Sequence, residues 1–162
     1  MKEELLKDIP RDINLVEVSA INSNLYSSDS YLENRVRPTS LEIKVEKNLG
    51  FSPEEELAKC LLNFEISGLD KSNEPLGINF QIGIEFFFKV NELTKYAIKE
   101  GTKTQISAEL GSSILAIAYS TSRGIVLERT NNTFFNGIIL PVINVAEFLR
   151  EDPKENSVIE NG

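Results

Sequence analysis

The side chains that most often carry chemistry are scarce in this 162-residue chain: there is one cysteine, Cys60, and neither histidine nor tryptophan. Without histidine the usual general base near neutral pH and the commonest metal ligand are both missing. One thiolate cannot build a zinc site or an internal disulfide, and it suits a reducing compartment. The glycines of GINFQIG (77–83) sit inside a strand-like run rather than at a strand-to-helix turn, so they are not a dinucleotide fingerprint. The 25 acidic residues leave carboxylate chemistry open in principle, yet no pair has a distinctive spacing, and solvated surface is the simpler account of them. No enzyme, cofactor or metal is expected. A net charge of −8 and a pI near 4.7 argue against nucleic acid and anionic membranes as partners, because phosphate binding needs a basic face.

What remains is binding by apolar and acidic surface, and that depends on the elements that carry it. The length fits one domain, expected over 12–151, with a flexible arm at 1–11 and a disordered tail at 152–162. The opening MKEELLKDIP has no signal-peptide core, and no apolar run approaches a membrane span, so a cytoplasmic location is expected. Residues 13–26 are rich in β-branched side chains without a helical period and predict an irregular strand, bulged near Ser19 and Ala20. Residues 27–38 have loop composition. Strict alternation then predicts three strands: 41–46 with Leu41, Ile43 and Val45 on one face, 61–67 with Leu62, Phe64 and Ile66, and 79–90 with Phe80, Ile82, Ile84, Phe86, Phe88 and Val90. The short connections favour antiparallel pairing. Between the first two strands, FSPEEELAK is either one helical turn begun at Ser52, Pro53 and Glu55 or a loop.

After Gly101 the period changes to that of a helix. Ile106, Leu110, Ile114, Ile117 and Ile125 fall on one side of it, and Leu115, Tyr119, Ser122 and Val126 on nearly the opposite side. Two apolar faces need two covers: the first set is expected on the chain's own sheet, and the second either belongs to a well-covered core helix or, the preferred reading, serves in a subunit contact. The helix should fade near Asn131 and Asn132. An extended connection follows, with Asn136-Gly137 as a turn and Pro141 barring a helix interior. Asn144 and Glu147 predict the start of a last short helix, ended by Pro153.

This order of elements resembles the SecB family of export chaperones. The most specific similarity is ILAIAYSTSRGIVLERTNNTFFNGIILPVINVAEFL (114–149), where Tyr119, Phe134, Leu140, Pro141, Asn144, Glu147 and Phe148 follow the family's pattern of long helix, connecting loop and final helix. The sheet region matches in pattern more than in letters, and the resemblance covers roughly 12–151. It implies an α+β fold: a four-stranded antiparallel meander sheet with a long C-terminal helix and a short final helix packed on one face. It further implies a homotetramer, as a dimer of dimers, that binds unfolded or precursor polypeptides in apolar grooves without ATP. The SecA ATPase is the family's export partner, reached partly through an acidic sheet face; some SecB-like proteins instead guard antitoxins. Two departures stand out: extra residues at 91–103, and a tail without a signature facing a zinc module.

The candidate client-binding residues are Phe87, on the polar side of its strand, Phe134, Phe135, Ile138 and Ile139 in the connection, and Leu25 with Tyr26. Phe87 reads either as groove or as a cross-strand contact, and the connection either as groove or as packing under the last helix. Glu42, Glu46, Glu65 and Glu85 are the candidate acidic face for a partner, and Leu115, Tyr119, Ser122 and Val126 the candidate oligomer interface. A helix-grip protein enclosing a small hydrophobic ligand is the competing class; it would need a deep cavity between sheet and helix.

Overall fold

The computed structural model describes residue 9, residues 11–151 and the backbone of residues 157–160. Four long antiparallel strands form the sheet: β1 (Ile13–Ser27), β2 (Ser40–Ser52), β3 (Leu57–Leu69) and β4 (Pro75–Val90). β2, β3 and β4 make the meander, and β1 lies along the outer side of β4, giving the order β1-β4-β3-β2. The expected α+β architecture is present, with the long helix α2 (Ala108–Thr130) and the short helix α3 (Val145–Arg150) following the sheet.

Alternation dictates the sheet's two sides. Ala58, Cys60, Leu62, Phe64 and Ile66 of β3 and Phe80, Ile82, Ile84, Phe86, Phe88 and Val90 of β4 are buried on one side, under α2. Full burial of such a side chain stabilises by about 1.5–3 kcal/mol, so this row anchors the domain. Cys60 lies within it, and burial pushes its thiol up to about 12. The length of α2 and its mean hydropathy of 1.2 would suit a membrane span. Here Leu110, Ile114, Leu115, Ala118 and Tyr119 are instead buried in the core.

Several expectations need correction. The bulges in β1 fall between Leu15 and Glu17 and between Ile21 and Asn24, whereas Ser19 and Ala20 stay in regular register with Glu85 and Ile84. Asn22, at φ 53°, supplies the left-handed residue that the second irregularity uses, a conformation asparagine tolerates through its short polar side chain. β2 and β3 run longer than predicted because Lys47, on the core side, is accommodated: its amine lies 4.5 Å from the Phe148 ring centroid and donates to the Glu151 carbonyl at 2.7 Å, so the aliphatic stem covers the sheet while the charge stays at the rim. FSPEEELAK forms a tight turn, not a helix; Ser52 Oγ donates to Glu55 Oε2 and Glu56 takes φ 56°. Within 27–38 there is a short helix, α1 (Asp29–Glu33), capped by Ser28 and anchored by buried Tyr31. The extra residues at 91–103 form a 3₁₀ turn (Leu93–Tyr96) and a hairpin of β5 (Ala97–Glu100) and β6 (Lys103–Ile106). Ile106 therefore ends a strand, and α2 begins after the Ser107 cap.

The two ends differ from expectation as well. Ile9, within the arm expected to be flexible, is buried in the core cluster, and within the tail expected to be disordered Ser157–Glu160 forms β7, paired antiparallel with Ser40, Leu41, Glu42 and Ile43 of β2. The remaining residues of 1–8, 10, 152–156 and 161–162, to which the same expectations applied, lie outside the described residues.

Candidate functional site

Adjacent strands on one side of the sheet have different cover. Leu15, Val18 and Leu25 of β1 stand in register with Phe88, Phe86 and Phe80 of β4, and so face the same side as α2. Phe80 is 2% exposed and its partner Leu25 41%. Leu15 and Val18 are exposed too, and the outer edge of β1 has no neighbouring strand among the described residues. Edge strands are usually blunted with charge, yet Glu17 is the lone charged residue of β1. That missing charge was the sequence signal for Leu15 and Val18.

The helix presents a second uncovered surface. Ile117, Ser120, Gly124 and Leu127 are exposed and share one stripe of α2, and a Cβ at Gly124 would meet nothing within 4 Å. The residues expected in the oligomer interface, Leu115, Tyr119, Ser122 and Val126, are all buried inside the monomer. Tyr119 sits between Phe64 of β3 and Phe148 of α3, with both ring centroids 6.2 Å away, and its hydroxyl donates to the Pro141 carbonyl at 2.9 Å. Burial pushes that hydroxyl up to about 12. Arg123 Nε donates to the Leu140 carbonyl at 3.0 Å. The connection and α3 thus close over the face that the helical period alone left for a partner.

That connection divides residue by residue. Phe135 and Ile138 are buried, and Ile138 is held from both ends: its side chain is in the core and its N–H donates to Thr130 Oγ1 at 2.7 Å. Phe134 is half-buried, edge-on to Tyr31 at 5.4 Å and 5.7 Å from the Arg35 guanidinium. Ile139, by contrast, is 69% exposed, and Val142 is also uncovered. Of the residues expected to bind clients here, Phe135 and Ile138 are core, while Ile139 and part of Phe134 are accessible.

The outer side of the sheet is polar. Leu25 and Tyr26 point to opposite sides, so exposed Tyr26 joins Phe87 there, in register with Asn79. Those two positions lie eight steps apart along β4, about 26 Å of strand, so they do not form one groove. Phe87 is half-buried between Glu17 and Lys59, whose amine lies 5.2 Å from its ring centroid and pairs with Glu85 at 2.5 Å. Glu42, Glu46, Glu65 and Glu85 do share this side, but Lys44 stands opposite Glu65 and Lys59 opposite Phe87, so the face is mixed in charge rather than uniformly acidic. Near its centre is a concavity of about 270 Å³ lined by Lys44, Glu46, Asn63, Glu65 and Gln81. Gly83 belongs to its floor because Ile21 and Asn63 come within 2.9 Å and 2.8 Å of where a Cβ would stand.

One cluster has the composition of a catalytic site but not its electrostatics. Asp12 accepts from Tyr96 Oη and from Lys95 Nζ, each at 2.6 Å. Burial raises the Asp12 carboxyl, yet hydrogen bonds from Lys95 and Tyr96 hold it below its ordinary value. The hydrogen bond to Asp12 pushes Lys95 up, and burial followed by that same carboxylate pushes Tyr96 up to about 12. A base or nucleophile near neutral pH needs the opposite shifts. The cluster ties the start of β1 to the inserted hairpin. Among the described residues no three His, Cys, Asp or Glu side chains gather as a metal site.

The arrangement of sheet and helices has a counterpart among solved structures. The Mycobacterium tuberculosis Rv1957 SecB-like chaperone, solved in complex with a ChAD peptide from the Rv1956 HigA1 antitoxin, superposes with a TM-score of 0.59 at 9% identity, over 88% of this chain and 97% of that one. The fold is SecB-like. A Streptococcus agalactiae protein of unknown function aligns with a TM-score of 0.40 at 10% identity, over 80% of this chain and 97% of its own. No protein-family model and no curated protein matches the sequence.

Proposed function

We propose that the protein is a chaperone that holds non-native polypeptides without ATP and without catalysing a reaction. The observation that carries this reading is the row Leu15, Val18 and Leu25, left uncovered at a sheet edge with a single charged residue, beside a complete core. Burial is worth roughly 25 cal/mol per Å², so a polypeptide with alternating apolar residues gains affinity from this row without any particular sequence. Ile139, Val142 and the free stripe of α2 extend the same apolar character. A second copy competes for such surface, and the exposed stripe Ile117, Ser120, Gly124 and Leu127, with its small side chains, suits helix approach in a homotetramer. The helix-grip alternative is weakened by the filled space between sheet and helix, where Phe64, Phe86 and Phe88 are buried.

We place this activity in the cytoplasm, with unfolded or precursor polypeptides as clients, and with neither nucleic acid nor membrane insertion involved. Delivery to SecA for export is one form of it. Guarding an antitoxin is the other, favoured by the antitoxin peptide bound to the structurally similar Rv1957 chaperone. Native mass and suppression of aggregation of a denatured client, measured together without nucleotide, test the common reading: a tetramer with near-stoichiometric suppression is expected, and a strictly monomeric protein without suppression sinks it. Protection of a co-expressed antitoxin from proteolysis, set against slowed precursor processing on depletion, separates the two forms.

A further inference from the structure

Two edges bound the long sheet, and they are not alike. The first residues of β2 are paired with the chain's own C-terminus, with Ser40 opposite Glu160, Leu41 opposite Ile159, Glu42 opposite Val158 and Ile43 opposite Ser157. Beyond that point, residues 44–52 of β2 have no second neighbouring strand among the described residues. This open stretch passes Lys47, whose amine is held by the Glu151 carbonyl beside α3. It ends at a cleft of about 920 Å³ between the Ser52–Glu55 turn and the inserted hairpin, lined there by Ala97, Lys99 and Thr104. Among the described residues, the edge of β2 from the tail's strand to that cleft therefore has no strand beside it.

We propose that Ser157–Glu160 is an intramolecular occupant of a polypeptide-binding edge, and that an extended polypeptide adds to β2 by displacing it. This deepens the chaperone reading and rests on it. Strand addition draws its affinity from main-chain hydrogen bonds, so a tail strand and a client strand are interchangeable at one edge. The tail segment is fit to pair, since Val158 and Ile159 are β-branched, and too short to pair firmly, since strands need more length or packing to be stable alone. Reach is sufficient. Glu151 is fixed near Lys47, Ser157 lies opposite Ile43, and six residues span up to ~20 Å where those β2 positions are about 13 Å apart. A tether this short places the strand at millimolar effective concentration, enough for weak pairing to compete with a client and to keep the edge from joining other chains.

The experiment compares three forms of the full protein: wild type, a truncation after Glu151, and V158P/I159P. Successive N–H groups of a strand point to alternate sides, so two adjacent prolines remove one pairing donor whichever way the strand faces, while tail length and charge stay unchanged. The probe is a fluorescein-labelled, 20-residue unfolded peptide with alternating apolar residues, followed by anisotropy. An edge occupied about 80% of the time predicts about five-fold tighter binding for both variants, and a synthetic 152–162 peptide added to the truncated form should compete with the probe. Equal affinity in all three forms would overturn the inference while leaving the chaperone reading intact. A gain in the truncation without a gain in V158P/I159P would overturn it too, assigning the effect to tail charge. Inhibition by the tail that fades on dilution would replace the intramolecular strand with one from a second copy. Binding by none of the forms would remove the chaperone reading and this inference together.

Discussion

β1 and β4 are neighbours in one sheet and share a face, yet β4 is sealed while β1 is open. Phe80, Phe86 and Phe88 are buried, and their register partners Leu25, Val18 and Leu15 are exposed. The difference does not come from residue type, since all six are apolar. It comes from where α2 lies: the helix packs on β3 and β4, and β1 extends past it. An apolar position facing the core side of a sheet is therefore core only when something covers it. At the margin of the cover, the same pattern yields a surface that can bind.

The sharpest way to break this distinction is in the connection, where adjacent residues should behave oppositely. Ile138→Asp places an unpaired charge in the core and is expected to leave little folded protein, a loss of about 3–5 kcal/mol read by chemical denaturation. Ile139→Asp should keep native circular dichroism and instead weaken client binding by several fold. If both variants fold equally well, the assignment of Ile138 to the core is wrong. Next in size comes the pair in register across β1 and β4. Phe86→Ala should cost about 3–5 kcal/mol, and Val18→Ala less than about 1 kcal/mol; equal losses would mean that β1 is covered after all.

A double substitution, V18K/L25K, sharpens the comparison from the functional side. It should lower affinity for an unfolded client by about ten-fold, equivalent to ~1.4 kcal/mol, with the melting temperature almost unchanged. The smallest effect concerns the tie between the start of β1 and the inserted segment. Asp12→Asn removes the negative charge that Lys95 and Tyr96 share, and solvent access to the pair limits the loss to about 2 °C in melting temperature. The sign follows from the direction of the Asp12 shift. Its folded pKa is below the ordinary 3.8, so the contribution is present above that value and disappears as pH falls through the folded pKa. Wild type and variant should converge in melting temperature once the pH has fallen below the folded pKa of Asp12. Lys95 is shifted upward, so its contribution is lost only as pH rises past its ordinary 10.5.

Strand alternation made β2, β3 and β4 legible, because a sheet face under a helix imposes a period of two on every residue it covers. The bulges in β1 were placed wrongly because that strand is covered on neither side well enough to impose one. α2 was recognisable as a helix, and Leu110 and Ile114 are buried as expected, but the cover of its second face was not legible. That face is closed from within the chain by the connection, where the Pro141 and Leu140 carbonyls receive Tyr119 and Arg123 from more than a dozen residues away. Phe135 and Ile138 were grouped with Phe134 and Ile139 for a related reason: in an extended connection, burial depends on a single bond such as Ile138 N–H to Thr130 Oγ1, which leaves no periodic trace. The glutamates of the outer face were placed on one side by alternation, while their interleaving with Lys44 and Lys59 depends on strand register.

Cys60 has a practical consequence. It is fully buried in the first half of β3, and its thiol is pushed up to about 12, so a thiol reagent reaches a reactive thiolate there only when the sheet opens. Its labelling rate in native buffer therefore serves as a clock for that opening, with no substitution required. A chaperone that yields its surface to clients without loosening its own sheet would keep the clock slow when a client is added. One that remodels itself would make it run faster, while a new cysteine placed on β1 would report client contact separately in the same molecule.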